Sequence, residues 1–376
     1  LVEIQVQAFQ HLASRAPSLP CPRVIKALDG SAMLTLADEN GDRRLTWVLE
    51  CLPGQCYANS APKSLALIHE VGAVLGSAGQ ALADFHHPEL ERDFKWNLMR
   101  AAWVGNEIQC ISDPKRQQII RDVTDGFTNL EPVLQQLPQQ AIHNDANDYN
   151  IMVAGTLTEP RHVSGLIDLG DICAAPRVCD LAIAAAYVVL DHADPEGALA
   201  ALVAGYHSAY PLTPHEVDLI YPLLRMRLAV SVVNSTLVAR ENPDDPYVTI
   251  SQAPAWRFLE GAKIHPGLLK ARLRAACDMP VVEGADRVMA WLDAERGNFA
   301  PLMGKDLTQA PMGSLSVENS TWPQNPFHMP LEEAARVGEE FEDGGNIWLG
   351  YYHEPRLIYA EPAFRKGPYK ASNRRT

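Results

Sequence analysis

Residues 143–150 read HNDANDYN and set His143, Asp145 and Asn150 at the spacing H-x-D-x-x-x-x-N, with Asp168-Leu169-Gly170 following two short apolar runs later. A stretch rich in Asn and Asp is ordinary in a turn, because these side chains hydrogen-bond the local backbone and tolerate left-handed conformations. The second motif shifts the balance. Phosphoryl transfer needs one carboxylate to take or orient an attacking hydroxyl, and separate oxygen ligands to hold magnesium against nucleotide phosphates. Asp145 and Asn150 on one loop, with Asp168 at the next strand end, supply that set. The loop is therefore expected to be catalytic rather than a plain turn.

Such a loop needs strands to carry it. YNIMVAG and HVSGLIDL read as paired strands around a turn at Leu157 to Pro160, and CDLAIAAAYVVL, apolar all round, as a buried helix. Upstream, EIQVQAFQHLA has helical spacing that the prolines of LPCPRV stop. SAMLTLADE and RRLTWVLEC form a hairpin across Asn40-Gly41-Asp42, and Leu52-Pro53-Gly54 breaks the second strand. Leu65, Ile68, Val71, Leu75, Leu82 and Phe85 make one helical stripe, and Ile119, Val123, Phe127, Leu130 and Leu137 a second; both are expected to face the core. Thr213-Pro214-His215-Glu216 is a capping box that opens a long helix toward Arg240, and helical patterns continue to about Glu295. Beyond Gly297 the chain turns proline-rich and aperiodic, then shows a helical LEEAARVGEEFE and a strand-like NIWLGYY.

The chain of 376 residues is 47% hydrophobic and 21% charged, which suits a globular protein of two or three domains. A net charge of -14 argues against nucleic-acid binding and suits a small cationic substrate. The seven cysteines include no CxxC pair and read as reduced thiols in a cytoplasmic protein. With no apolar run of eighteen residues, a membrane span is not expected.

HNDANDYNIMV followed by GLIDLGDICAAPRVCDLAIAAAYVV resembles the aminoglycoside phosphotransferase and choline kinase family, most of all its hydroxylysine-kinase-like branch, over roughly residues 1–300. The resemblance implies an α+β, protein-kinase-like two-lobed fold with an incomplete N-terminal lobe and a mainly helical C-terminal lobe. Residues 1–52 would be a partial small lobe and hinge, 53–298 the C-terminal kinase lobe, and 299–376 a linker and the start of a following domain. It implies Asp145 as catalytic base, His143 as a brace for the loop, Asn150 and Asp168 as Mg2+ ligands, and Asp180 as a structural tie to the following helix. Glu50, Cys51 and Leu52 would hold the adenine of ATP, or the base of GTP, through backbone groups at the hinge.

Glu3 lines up with the helix glutamate that pairs a phosphate-binding lysine in this family, yet Lys26 follows the helix and no glycine-rich loop precedes it. The expectation is a fragment of a longer protein rather than a degenerate kinase, poorly active by itself. GKDLTQAPMGSLSV and YYHEPRLIYAEPAF resemble the segment joining such a kinase to metallopeptidase-like and class III aminotransferase (phospho-lyase) domains in fused proteins.

The function implied is transfer of a nucleotide γ-phosphoryl group to a small amino alcohol, hydroxylysine- or ethanolamine-like. An antibiotic phosphotransferase and a pseudokinase scaffold are the alternatives. Asp171 is a candidate for the substrate ammonium, against an exposed turn residue. Arg227, Ser231 and Asn234 share neighbouring turns of the long helix and would wall the acceptor pocket, against a solvated polar stripe; that choice stays open. Trp96 and Trp256 read as core rather than an aromatic box, and His86-His87 as solvent-facing rather than a metal site.

Overall fold

The loop at 143–150 hangs between two strand ladders in a computed structural model of the chain, which describes residues 1–156, 159–242, 249–261, 264–280, 347–353 and 356–363. The chain divides into two compact units, Leu1–Ala262 and Lys263–Thr376.

The first unit opens with α1 (Val2–Arg15), which buries Ile4, Val6, Phe9 and Leu12 at the predicted helical spacing. Short strands follow: β1 (Val24–Ile25), β2 (Leu34–Ala37), β3 (Arg43–Thr46), β4 (Val48–Leu49) and β5 (Gln55–Cys56). β2 and β3 form the hairpin expected from Asn40-Gly41, with Gly41 at φ +84°, a left-handed turn position that glycine takes at little cost.

Helix α2 (Leu65–Leu82) is capped by the Ser64 side chain, which accepts from the Leu67 N–H. Its stripe of Ile68, Val71, Leu75 and Leu82 is buried, and Phe85 just beyond the helix is buried too. Leu65, at the first helical position, stays 46% exposed, because the stripe turns inward only one turn later. Among the described residues α2 is also the one helix long and apolar enough to cross a membrane by length and composition. It packs instead against α5 (Pro195–Ala209) with the two backbones nearly touching: a Cβ on Gly72 would collide with the Leu202 carbonyl oxygen, and one on Gly205 with the His69 carbonyl oxygen.

In α3 (Pro114–Leu134) the buried face is Ile120, Val123, Phe127 and Leu134. Ile119 and Leu130, expected on that face, are only half-buried, and Leu137 lies past the helix end. Ile119 and Ile120 are adjacent, so helical spacing alone does not choose between them; the neighbouring helices do.

The ladders position the site. β6 (Gln139–Ile142) pairs with β9 (Cys173–Pro176), with Ile142 opposite Cys173. β7 (Ile151–Ala154) pairs with β8 (His162–Leu166) and on its other edge with β5, with Ile151 opposite Leu166. So 143–150 leaves β6 and returns into β7, while 167–172 leaves β8 and returns into β9, and the two connections emerge side by side. Helix α4 (Arg177–Val188) follows and is buried from Val178 to Val188, as its apolar sequence predicts. Helix α6 (Pro214–Glu241) carries the complete capping box: Glu216 N–H donates to Thr213 Oγ1 at 3.2 Å, and Thr213 N–H donates to Glu216 Oε2 at 2.8 Å. Helix α7 (Gln252–Gly261) ends the described part of this unit.

In the second unit, α8 (Pro266–Ala276) is followed by the antiparallel pair β10 (Ile347–His353) and β11 (Arg356–Ala363), so that IWLGYY of the strand-like run is a strand. The helical patterns at 281–295 and 331–342 and the proline-rich stretch lie outside the described residues. All seven cysteines are free thiols.

Candidate active site

His143 is 1% exposed at the end of β6. Its Nδ1 accepts from the Asp145 N–H at 3.2 Å, which puts the ring proton on Nε2, and Nε2 donates to the Ile167 carbonyl at 2.9 Å. One imidazole thus ties the first connection to the second. Asn144 takes φ +65°, and its amide donates to the Trp96 carbonyl at 3.3 Å.

Beneath both sits Asp180, 1% exposed in the first turn of α4. It accepts from the backbone N–H groups of His143 at 3.3 Å and of Asn144 at 2.8 Å. Burial pushes its carboxyl above the usual range, while the His143 ring and these backbone donors pull it back. An alanine here would leave two buried donors without an acceptor, each costing ~1–3 kcal/mol. Asp180→Ala is therefore expected to destabilise the fold by ~2–5 kcal/mol, read by urea unfolding. A loss under ~0.5 kcal/mol would remove its structural role.

Asp145 is held at both oxygens. Oδ2 accepts from Asn150 Nδ2 at 2.8 Å and Asn147 Nδ2 at 3.0 Å, and Oδ1 accepts from Arg227 Nη2 at 2.8 Å. Its side chain is 24% exposed, so one face of this fixed carboxylate is open to a hydroxyl. Asn150 also donates to the Asp145 carbonyl at 2.8 Å, which leaves its amide oxygen without a hydrogen bond among the described residues. Asn150 is joined to the second connection through its own carbonyl, which accepts from the Ile167 N–H at 2.9 Å.

Asp168 is exposed and sits at φ +65°, an uncommon conformation for a non-glycine residue, with Oδ1 accepting from the Gly170 N–H at 2.9 Å. That leaves Oδ2 without a hydrogen bond among the described residues. Among the described residues no group of three or more His, Cys, Asp or Glu could hold a metal. A magnesium ion bound with nucleotide phosphates needs only one or two protein oxygens, however, and the Asn150 amide oxygen with the Asp168 carboxylate fits that hard-ligand requirement.

Asp171 is half-buried, with no hydrogen bond among the described residues. Burial and the Asp145 charge push its carboxyl up, against the Arg227 and Arg92 guanidiniums. Arg227 and Ser231 are buried and Asn234 is half-buried, so this face of α6 is not a solvated stripe at its inner end. The tryptophans do not share a box: Arg227 lies 4.6 Å over the Trp96 ring and Arg116 4.7 Å over the Trp256 ring. His86 is exposed, and His87 Nδ1 accepts from the Glu89 N–H.

At the segment expected to form the hinge, Glu50 and Cys51 are exposed, the Glu50 N–H donates to the Arg23 carbonyl at 2.8 Å, and Leu52 packs on Gly165 of β8. Glu3 stays exposed on α1 and accepts from Gln7 Nε2 at 3.0 Å; among the described residues it bonds none of the site residues. Two features escaped the sequence reading. Asp148, the second aspartate of the loop, has a carboxyl pushed up by burial, with Lys63 opposing. Arg92 reaches the second connection by donating to the Gly170 carbonyl at 2.6 Å. Neither signals itself by spacing, although HNDANDYN already shows the Asp148 carboxyl.

The Phosphotransferase enzyme family (APH) matches residues 2–219. The hydroxylysine kinase of Mus musculus is similar at 26% identity over 275 residues, covering 69% of this chain and 72% of that protein. The hydroxylysine kinase of Xenopus laevis is similar at 26% identity over 277 residues, covering 69% and 73%. Among solved structures, the amicoumacin kinase hAmiN in complex with AMP-PNP, Ca2+ and Ami has a TM-score of 0.50 at 15% identity, covering 69% of this chain and 77% of that one. It shares the fold, and the α+β, protein-kinase-like architecture expected from the motifs is the one observed.

Proposed function

The chain belongs to the phosphotransferase enzyme family, and on that premise we propose that it transfers the γ-phosphoryl group of ATP or GTP to the hydroxyl of a small amino alcohol, hydroxylysine- or ethanolamine-like. The observation that carries this reading is the carboxylate of Asp145, fixed at both oxygens and open on one face, beside the Asn150 and Asp168 oxygens.

In the reaction the acceptor oxygen forms a bond to the γ-phosphorus as the bond from that phosphorus to the β,γ-bridging oxygen breaks. The hydroxyl proton passes to Asp145, and the products are a phosphate ester and a nucleoside diphosphate. His143 keeps the loop in register with 167–172, and Asp180 fixes the loop backbone. Mg2+, held by Asn150 and Asp168, would neutralise phosphate charge. Backbone groups of Glu50, Cys51 and Leu52 hold the nucleotide base, and Glu3 pairs a phosphate-binding lysine. Asp171 meets the substrate ammonium, whose charge would relieve the crowding of this carboxylate by Asp145 and Asp168. Arg227 and Asn234 border the acceptor side. The free thiols support a cytoplasmic setting, and the resemblance of residues 299–376 to a joining segment supports a fused phospho-lyase that consumes the ester.

A charge-assisted hydrogen bond from the ammonium is worth ~1.5–3 kcal/mol, so amino alcohols are expected to exceed their neutral analogues by ~10–100-fold in kcat/KM. A nucleoside diphosphate release assay on the full-length protein, with hydroxylysine, ethanolamine, neutral alcohols and aminoglycosides, checks this. Preference for neutral alcohols or for aminoglycosides would overturn it.

A further inference from the structure

We infer that Arg227 is a positioning residue for Asp145: it sets the orientation of the carboxylate that receives the acceptor hydroxyl and does not itself read the acceptor. This rests on the phosphotransfer reading above.

Arg227 is 1% exposed on α6, far in sequence from the loop it serves. All three guanidinium nitrogens are occupied. Nε donates to the Tyr187 hydroxyl at 3.2 Å, Nη1 to the Trp96 carbonyl at 3.3 Å, and Nη2 to Asp145 Oδ1 at 2.8 Å. The guanidinium lies 4.6 Å from the centre of the Trp96 ring and 5.6 Å from that of Tyr187. A planar fork held between two rings and bonded to three oxygen acceptors has little rotational freedom. Asp145 is therefore fixed from outside its own loop at Oδ1, while Asn147 and Asn150 fix Oδ2 from within. The same Trp96 carbonyl also accepts from Asn144, so the 92–97 segment binds both the loop and its external clamp.

Phosphoryl transfer through a loose transition state asks more for alignment of the attacking oxygen than for a strong base, and a shift of ~1 Å in the orienting group can cost ~100-fold. A guanidinium at 2% side-chain exposure, with each of its nitrogens already bonded to a neighbouring group, has little surface to offer a substrate. Its path to the chemistry runs through Asp145.

The experiment is steady-state kinetics of the full-length protein with an amino-alcohol acceptor. Arg227→Met is expected to lower kcat by ~100-fold while KM for the acceptor changes less than ~3-fold, and Arg227→Lys to recover at least ~10-fold of that loss. In an Asp145→Asn background, Arg227→Met should cost less than ~3-fold more. Removing one partner of a buried ion pair can unfold a protein, so Tyr187→Phe, which deletes only the hydroxyl holding Nε, is the second variant. It should lower kcat by ~3–10-fold, and that loss should vanish in the Asp145→Asn background. A raised KM with unchanged kcat, losses that multiply in the double variants, or a Tyr187→Phe kcat equal to wild type would overturn the inference and leave the kinase reading intact. A wild-type protein that phosphorylates no acceptor removes the kinase reading, and this inference with it.

Discussion

Asp145→Asn in the full-length protein is expected to lower kcat for phosphoryl transfer by ~10²–10⁴-fold, the range for losing a positioned proton acceptor. An asparagine keeps the size of the side chain and one carbonyl oxygen, so it can still meet Arg227 or the Asn150 amide. What it loses is the second anionic oxygen and the capacity to take a proton. Nucleotide affinity should stay within ~3-fold of wild type, because the change falls on a transition-state interaction rather than on uniform binding. Single-turnover kinetics with a separate titration of nucleotide distinguishes the two quantities. Wild-type turnover would end the assignment of Asp145.

Asp168→Ala is expected to act on the metal. The carboxylate has one oxygen capped by Gly170 and the other without a hydrogen bond among the described residues, on a left-handed backbone conformation that alanine adopts poorly. Changes to groups that merely support a metal ligand already cost ~10–100-fold in affinity. Deleting a ligand outright should therefore weaken magnesium-dependent nucleotide binding by ~100-fold or more. Calorimetry of nucleotide binding with and without magnesium, on Asp168→Ala and Asp145→Asn side by side, checks the division of labour. Asp168→Ala should lose the magnesium-dependent part while Asp145→Asn keeps it; equal effects in the two variants would show the roles to be misassigned.

Much of the local structure was legible because its causes are local. An Asn-Gly turn between alternating runs makes a hairpin wherever it stands, and β2 and β3 pair as Leu34 to Thr46 and Ala37 to Arg43. Thr213 and Glu216 cap α6 because each reaches the other's backbone N–H within one turn. Helix faces were less secure. In α3 the sequence offers both Ile119 and Ile120, and only the neighbouring helices select Ile120.

The site divides in the same way. His143, Asp145, Asn150 and Asp168 belong to two connections whose spacing is written in the sequence, so the sequence by itself determined the loop and the phosphotransferase class, and it supplies Asn150 and Asp168 as the magnesium donors we propose. Asp180 was legible only through resemblance, since nothing in CDLA says that its carboxylate will lie under His143 and Asn144. Tertiary structure alone decided what holds Asp145. Arg227, Tyr187 and the Trp96 carbonyl come from distant segments, and α6 brings the guanidinium to the loop across a separation of 82 residues. A polar side chain on a long helix reads equally as solvated or buried, because helical spacing records which residues share a face and not what that face meets. Only the packing of α6 beside α4 and the loop resolves it, by enclosing a charge that must then find its partner.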